Sequence, residues 1–239
     1  MANLAQLRRL EDLNAFLLVD KPAALPCPSV IKTIKRKFNL VKVSHGGSLD
    51  AAASGLVVVL INDANKFVGD VMGADREYTG TIRLGVTSNT NDAQGEMSET
   101  NSACDFPQAA LDAAAREWKG DIFQTEPQFC AVRREASAGY EIVDTGPHQP
   151  LLSHVYRFSV ENAGEKKLSF SLVGTKGVIV RSLAHDFGQT LGCGAVLETV
   201  RRTRIGKFKI EDAFAFDKIL ELDAEGLMAC AIPLSKALQ

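Results

Sequence analysis

The sequence lacks the features that mark membrane and secreted proteins. No apolar run in its 239 residues approaches the roughly 18 that cross a bilayer. Residues 1–20 mix Arg8, Arg9, Glu11 and Asp12 with leucines, which is not the basic-then-apolar order of a signal peptide. There is also no internal repeat and no low-complexity segment. The sequence therefore predicts a globular cytoplasmic protein that does not associate with membranes.

Spacings typical of metal sites and disulfide frameworks are missing as well. The five cysteines are odd in number and none form a C-x-x-C pair. The four histidines lie far apart, without the H-x-x-x-H spacing of a metal enzyme. No phosphate-binding loop, nucleophile elbow or dinucleotide fingerprint is present. We predict reduced thiols and no metal centre.

The charge is nearly balanced, with 27 Lys and Arg against 29 Asp and Glu. This balance excludes a uniformly basic nucleic-acid binder but not a local basic face. Two stretches concentrate nine of the cations. They are Lys32, Lys35, Arg36 and Lys37 in the first, and Arg201, Arg202, Arg204, Lys207 and Lys209 in the second. A phosphate-backbone binder and two solvated helix faces both explain such stretches.

The apolar pattern predicts a mixed α/β or α+β fold with a substantially antiparallel sheet. Residues 30–38 are predicted to form a helix with Ser29 as its N-cap. Further predicted helices cover residues 4–13, 105–120, 181–191 and 212–222, and predicted strands cover residues 16–19, 56–61, 78–86, 155–160, 168–173 and 178–180. Residues 161–164 are predicted to turn between two antiparallel strands. No linker divides the chain, so we expect one domain over residues 15–239 after a helical extension at residues 1–14.

Two local patterns point to chemistry. Gly46 and Gly47 let backbone or a flat ligand approach closely, and Asp50 ends this loop just before a buried strand. Such an Asp is either a reactive carboxylate or an ordinary turn residue. Arg181 starts a predicted helix, where the helix dipole disfavours a cation, so it needs a carboxylate partner. Pairing with Asp186 is geometrically poor on a helix, so a partner distant in sequence is favoured.

Taken together, the motifs resemble the TruB-type tRNA pseudouridine synthases over residues 15–215. The matching segments are residues 19–22 (D-K-P), 45–50 (H-x-G-[ST]-L-D), 75–78 (D-[KR]-x-Y), 84–96 (L-G-x-x-T-D-T-x-D-x-x-G), 181–195 (R-S-L-A-x-D, then G-x-x-A) and 201–206 (R-R-x-x-x-G). Their order and spacing agree with the family, which makes the set more specific than any single motif.

The resemblance implies a pseudouridine synthase fold, with a mostly antiparallel central sheet, flanking helices and an RNA-binding cleft. It implies isomerisation of the uridine at position 55, in the TΨC loop of tRNA, by a monomer that binds the T arm without a cofactor or metal. A glycosidase needs two carboxylates because an outside water must be activated. Here the departing uracil returns as the nucleophile, so one carboxylate suffices. Asp50 holds that role by resemblance, as a nucleophile at C1′ or a base at C2′.

The other roles also follow from the resemblance. Arg181 would pair with Asp50 and keep it ionised. Tyr78 would stack on the flipped uracil, and these three are the expected catalytic residues. The expected RNA-binding residues are His45, Arg133, Arg201 and Arg202.

Some positions depart from the family pattern. Residues 51–53 are alanines, and Ile179 replaces a tyrosine of the pocket. These changes favour an alternative, a catalytically weak RNA-binding or tRNA-folding protein on the same scaffold. A small-molecule glycosidase is a remote third reading. The chain ends soon after Leu234, so we expect the family's C-terminal RNA-binding domain to be absent.

Overall fold

A computed structural model describes residues 10–100, 102–132 and 139–237. The chain divides into two compact units, one formed by Met1–Ala74 and Arg202–Gln239 and the other by Asp75–Arg201. A single domain over residues 15–239 stays a prediction. Of the predicted helical extension, residues 1–9 lie outside the described ranges.

The described residues form strands and helices that we number in chain order. The strands are β1 (Ala15–Lys21), β2 (Val43–His45), β3 (Ser54–Ile61), β4 (Arg76–Leu84), β5 (Val86–Ser88), β6 (Met97–Glu99), β7 (Gly120–Gln124), β8 (Phe129–Val132), β9 (Glu141–Asp144), β10 (Leu151–Gly164), β11 (Lys167–Gly174), β12 (Ala195–Ile205), β13 (Phe208–Lys209), β14 (Phe214–Ala215) and β15 (Ile232–Pro233). The α-helices are α1 (Cys27–Lys37), α2 (Val68–Gly73), α3 (Gln108–Glu117), α4 (Val180–Thr190), α5 (Phe216–Glu221), α6 (Ala224–Cys230) and α7 (Leu234–Ala237). None of them combines the length and the hydropathy that crossing a bilayer requires.

The first unit is built on β1 and β3, which pair antiparallel from Ala15 opposite Ile61 to Lys21 opposite Gly55. Its strand order is β14-β1-β3, with β2 paired to β3 and β15 paired to β1. Every residue from Leu56 to Ile61 is fully buried, as the continuous apolar run predicts. The core is closed in part by the rings of Phe16 and Phe208, whose centroids lie 5.3 Å apart.

Helix α1 has one apolar stripe and one basic face. Cys27, Val30, Ile34 and Phe38 recur every three or four residues and are buried. The predicted helix is confirmed, but the N-cap position is Pro26 rather than Ser29, which lies inside the first turn. The reason is that Pro28 fits the first helical turn, where its missing N–H is not needed, so the helix begins before Ser29.

The second unit has the strand order β12-β4-β11-β10-β7. The predicted antiparallel pair is confirmed as β10 and β11, but the turn falls at Glu165 and Lys166 rather than at residues 161–164. Both turn residues have positive φ, as a tight hairpin turn requires. Phe158 and Phe187 pack edge to face in the core, with centroids 5.4 Å apart.

Two predicted elements are wrong. Residues 178–179 are not a strand, because the side chain of Gln124 takes the place of a partner strand and bonds both backbone groups of Ile179. Residues 212–222 are not one helix, because Phe214 and Ala215 pair in parallel with β1 before α5 begins. The predicted fold class is confirmed: a mixed α/β protein with a large, mostly antiparallel central sheet and flanking helices.

Candidate active site

Asp50 lies in the first unit, on the loop that joins β2 to β3, and its side chain is exposed. Two glycines shape the loop. A Cβ at Gly46 would lie 2.1 Å from Cγ1 of Val71, so no larger residue fits there. Gly47 has a φ of +120°, which residues with a side chain rarely adopt. The lack of space at Gly46 and the positive φ of Gly47 fix the course of the loop backbone. That course leaves Asp50 exposed to solvent.

Lys21 anchors the second half of the loop. Its side chain is 0% exposed, and its Nζ donates hydrogen bonds to the carbonyls of Leu25, Ala51 and Ala53 at 2.8, 3.3 and 2.5 Å. Burial lowers the pKa of Lys21 to about 8, against the smaller opposing effect of the Asp50 charge. The ammonium therefore fixes backbone directly after Asp50.

Arg202 anchors the first half. Its guanidinium donates to the carbonyls of Gly47, Ser48 and Leu56 at 3.1, 2.8 and 2.9 Å. The side chain is 1% exposed, so its donors serve the backbone of its own unit, and the predicted RNA contact of Arg202 stays a prediction. The reason for the burial is local, because the backbone of Arg202 lies very close to Gly55 at the start of β3. A Cβ added to Gly55 would lie 2.3 Å from the carbonyl oxygen of Arg202.

Nearly every carbonyl around Asp50 has a donor. Besides the bonds from the two buried cations, the Cys27 thiol donates to the Leu49 carbonyl at 3.4 Å, and the Ala53 N–H donates to the Asp50 carbonyl at 3.1 Å. The backbone is thus held on both sides of an exposed carboxylate. This is the arrangement that a positioned reactive group needs, because preorganisation lowers the cost of reaching the reactive geometry.

His45, at the end of β2, lies in the same unit. Burial and the nearby Arg202 charge lower the pKa of its imidazole. At neutral pH the ring is therefore uncharged. It can stack or exchange hydrogen bonds with a nucleotide, but it does not act as a cation.

Tyr78 and Arg181 lie in the second unit. Tyr78 is 8% exposed and stands on β4 opposite Leu172 of β11. Arg181 is 9% exposed, and its Nη2 lies 3.3 Å from the Cys130 sulfur and 3.9 Å from a carboxylate oxygen of Glu126. A carboxylate near this helix start is what the unfavourable dipole demands. The predicted ion pair of Arg181 with Asp50 stays a prediction.

Arg181 is positioned by hydrogen bonds that the sequence does not predict, and we call them the Gln124 clamp. The side-chain amide of Gln124 donates to the Ile179 carbonyl and accepts from the Ile179 N–H, both at 3.1 Å. The Ser182 hydroxyl donates to the carbonyl of Thr125 at 2.8 Å. These bonds fix the residues on both sides of Arg181 at the start of α4. The partners, the Gln124 side chain and the Thr125 carbonyl, lie far away in sequence, and no motif reveals them.

The remaining predicted residues are spread over the chain. Arg201 is half-buried on β12, and Arg133 lies outside the described residues. The structure brings Asp50 together with His45 and Arg202 in the first unit, and it places Tyr78, Arg181 and Arg201 in the second.

Solved structures of known proteins share this fold. The chain aligns with a TM-score of 0.73 to a chain of a Cbf5-Nop10-Gar1 complex, and with 0.69 to one of an H/ACA RNP bound to a substrate RNA containing 2'-deoxyuridine. Both are 24% identical and match 96% and 93% of this chain. The chain spans 63% and 60% of their lengths. At this identity the likeness defines the fold.

Comparison with curated relatives and family models then places the chain. It is 36% identical to tRNA pseudouridine synthase B of Opitutus terrae, over 95% of both chains. It is 34% identical to the protein of that name from Burkholderia pseudomallei (strain 668), over 87% of this chain and 69% of the relative. The model of the TruB family pseudouridylate synthase (N terminal domain) matches residues 35–180. The chain belongs to the TruB family of pseudouridylate synthases.

The comparison corrects one prediction. The model of the tRNA pseudouridylate synthase B C-terminal domain matches residues 181–239. The predicted absence of a C-terminal domain is therefore wrong. The prediction counted only the residues near the end of the sequence. The matched region instead begins within α4 and includes β12, which the motifs place in the catalytic domain.

Proposed function

We propose that this chain is a tRNA pseudouridine synthase that isomerises the uridine at position 55 in the T arm. The observation that carries the proposal is the exposed Asp50 carboxylate on a loop whose backbone is tied down by Lys21 and Arg202. The names of the relatives from Opitutus and Burkholderia support tRNA as the substrate. We also propose that it acts as a cytoplasmic monomer.

The reaction rearranges one nucleotide and consumes nothing else. The bond between C1′ and N1 breaks, the uracil turns, and a bond forms between C1′ and C5. The proton that leaves C5 is balanced by one gained at N1. Asp50 assists at the sugar, either by attacking C1′ or by removing the C2′ proton. Both routes need a carboxylate that is positioned yet accessible, as Asp50 is.

Tyr78 and Arg181 complete the proposal. A base that leaves the helical stack loses its stacking energy, and an aromatic ring that receives it restores part of that energy. Tyr78 supplies the ring. Arg181 pairs with Asp50 in this proposal, and the Gln124 clamp supports it by fixing the start of α4.

The test is release of tritium from a tRNA transcript that carries 5-tritiated uridine. We expect the wild type to release it and Asp50→Asn to release none while still binding the transcript, because an amide supplies neither nucleophile nor base. Asp70→Asn removes another exposed carboxylate of the same unit and is the matched control, with wild-type release expected. If the wild type bound tRNA but released no tritium, the proposed synthase activity would be overturned in favour of the RNA-binding alternative.

A further inference from the structure

The last turn of α1 and the residues after it carry a dense group of exposed cations. We call Lys35, Arg36, Lys37 and Lys42 the α1 basic turn; all four side chains are exposed. In the described part of the chain, no carboxylate forms an ion pair with any of them. The Lys37 ammonium lies 5.2 Å from the centroid of the Phe38 ring, whereas the other three point to solvent.

Helix stability alone does not account for this group. A cation at a helix C-terminus gains roughly 0.3–1 kcal/mol from the dipole. The dipole acts only within the last turn, so it gives no reason for the further cation at Lys42, which lies beyond the helix. An anionic partner accounts for the whole group, because cations that neutralise the phosphates of a nucleic acid release its condensed counterions.

The position of the α1 basic turn follows from contacts within the first unit. Helix α1 begins beside the loop that joins β2 to β3, where Cys27 donates to the carbonyl of Leu49, the neighbour of Asp50. Its 11 residues extend for roughly 15 Å at about 1.5 Å each. In a stacked strand with a phosphate about every 3.4 Å, that distance corresponds to roughly four nucleotides.

We propose that the α1 basic turn binds phosphates of the substrate tRNA about four nucleotides from the target uridine. The inference rests on the proposed function, because it takes the nucleotide at Asp50 as the origin of the distance. Lysine ammonium groups act as point charges toward phosphates, and the group offers no large apolar surface for a membrane beyond the exposed Val41. The chemistry therefore favours the phosphodiester backbone of a nucleic acid.

The experiment measures the affinity for a tRNA transcript over a range of salt concentrations. Lys35→Ala with Arg36→Ala removes two cations without touching the buried stripe. Arg116→Ala with Lys119→Ala is the matched control, since it also removes one Arg and one Lys at the exposed C-terminal end of a helix, α3. We expect the first variant to flatten the slope of log affinity against log salt by about 1.4–1.8, at 0.7–0.9 per contact. The control keeps the wild-type slope.

Two further readouts sharpen the test. KM for the transcript should rise with kcat unchanged, because the contact is made equally in the ground and transition states. Phosphate ethylation about four nucleotides from the target should weaken binding of the wild type but not of the Lys35/Arg36 variant. An unchanged salt slope in that variant would overturn the inference. Failure of the proposed function would be distinguishable, because the wild type would then release no tritium, whatever the slope of log affinity against log salt.

Discussion

The two basic stretches have similar charge density in the sequence, yet they do opposite things in the structure. In the α1 basic turn the cations point to solvent. In the stretch from Arg201 to Lys209, the side chains of Arg202, Arg204 and Lys207 donate to backbone carbonyls of their own unit. The cause is the element that carries them. A surface helix leaves a whole face to solvent, whereas a strand turns alternate side chains into the protein.

The largest expected effect is on stability and comes from the buried cation of the second stretch. Arg202→Met removes the donor from three carbonyls, two of them in the loop before Asp50. A buried acceptor left without a donor costs about 1–3 kcal/mol, so we expect a loss of roughly 3 kcal/mol or more. Urea denaturation measures the loss of unfolding free energy. Lys209→Met, at an exposed cation of the same stretch, is expected to stay within about 0.5 kcal/mol of wild type. Equal stabilities for the two variants would contradict the structural role of Arg202.

A second test concerns the charge on Lys21. Burial lowers its pKa from the ordinary lysine value of 10.5 to about 8 in the folded protein, so the unfolded chain binds the proton more tightly. Folding then becomes more favourable as the pH rises from about 8 toward 10.5, by about 1.4 kcal/mol for each pH unit inside that window. Below pH 8 both states are protonated and the dependence vanishes.

Lys21→Met removes this titration and keeps most of the buried volume. Between about pH 7 and pH 9 we expect the wild type to gain roughly 1.4 kcal/mol in unfolding free energy relative to the variant. Other groups that titrate in this range are present in both proteins and cancel in the difference. Parallel stability curves for the two proteins would mean that Lys21 titrates at an ordinary pKa.

The predictability of the fold follows the range of the interactions involved. The buried run in β3 and the apolar stripe of α1 depend on periodicity within a few residues, so the sequence predicts both. The sequence pattern misassigns residues 178–179 and 214–215 because their backbone partners, Gln124 and β1, lie far away in the chain. A short apolar segment has no preference strong enough to resist such partners.

The candidate site divides in the same way. Asp50 and its two glycines form one continuous motif, so residue spacing and family resemblance both point to them. Arg202 belongs to a motif too, but the motif does not say whether a cation faces RNA or supports the backbone. The supporting role shows only in the structure, from its 1% exposure and its bonds to the Gly47 and Ser48 carbonyls.

The smallest expected effect concerns Lys207, whose Nζ donates to the carbonyl of Ala237 although its side chain remains exposed. A cation engaged with its own chain has less to offer a phosphate than those of the α1 basic turn. Lys207→Ala should therefore change the salt slope for tRNA binding by less than about 0.3, below the value of one phosphate contact. It should cost roughly 0.5–1 kcal/mol in unfolding free energy, the usual net value of one hydrogen bond. Lys209→Ala, with no such tie in the described structure, is the control and should leave stability unchanged. If Lys207→Ala flattened the slope by a full contact, Lys207 would release Ala237 to bind RNA, and the two basic stretches would then share one role.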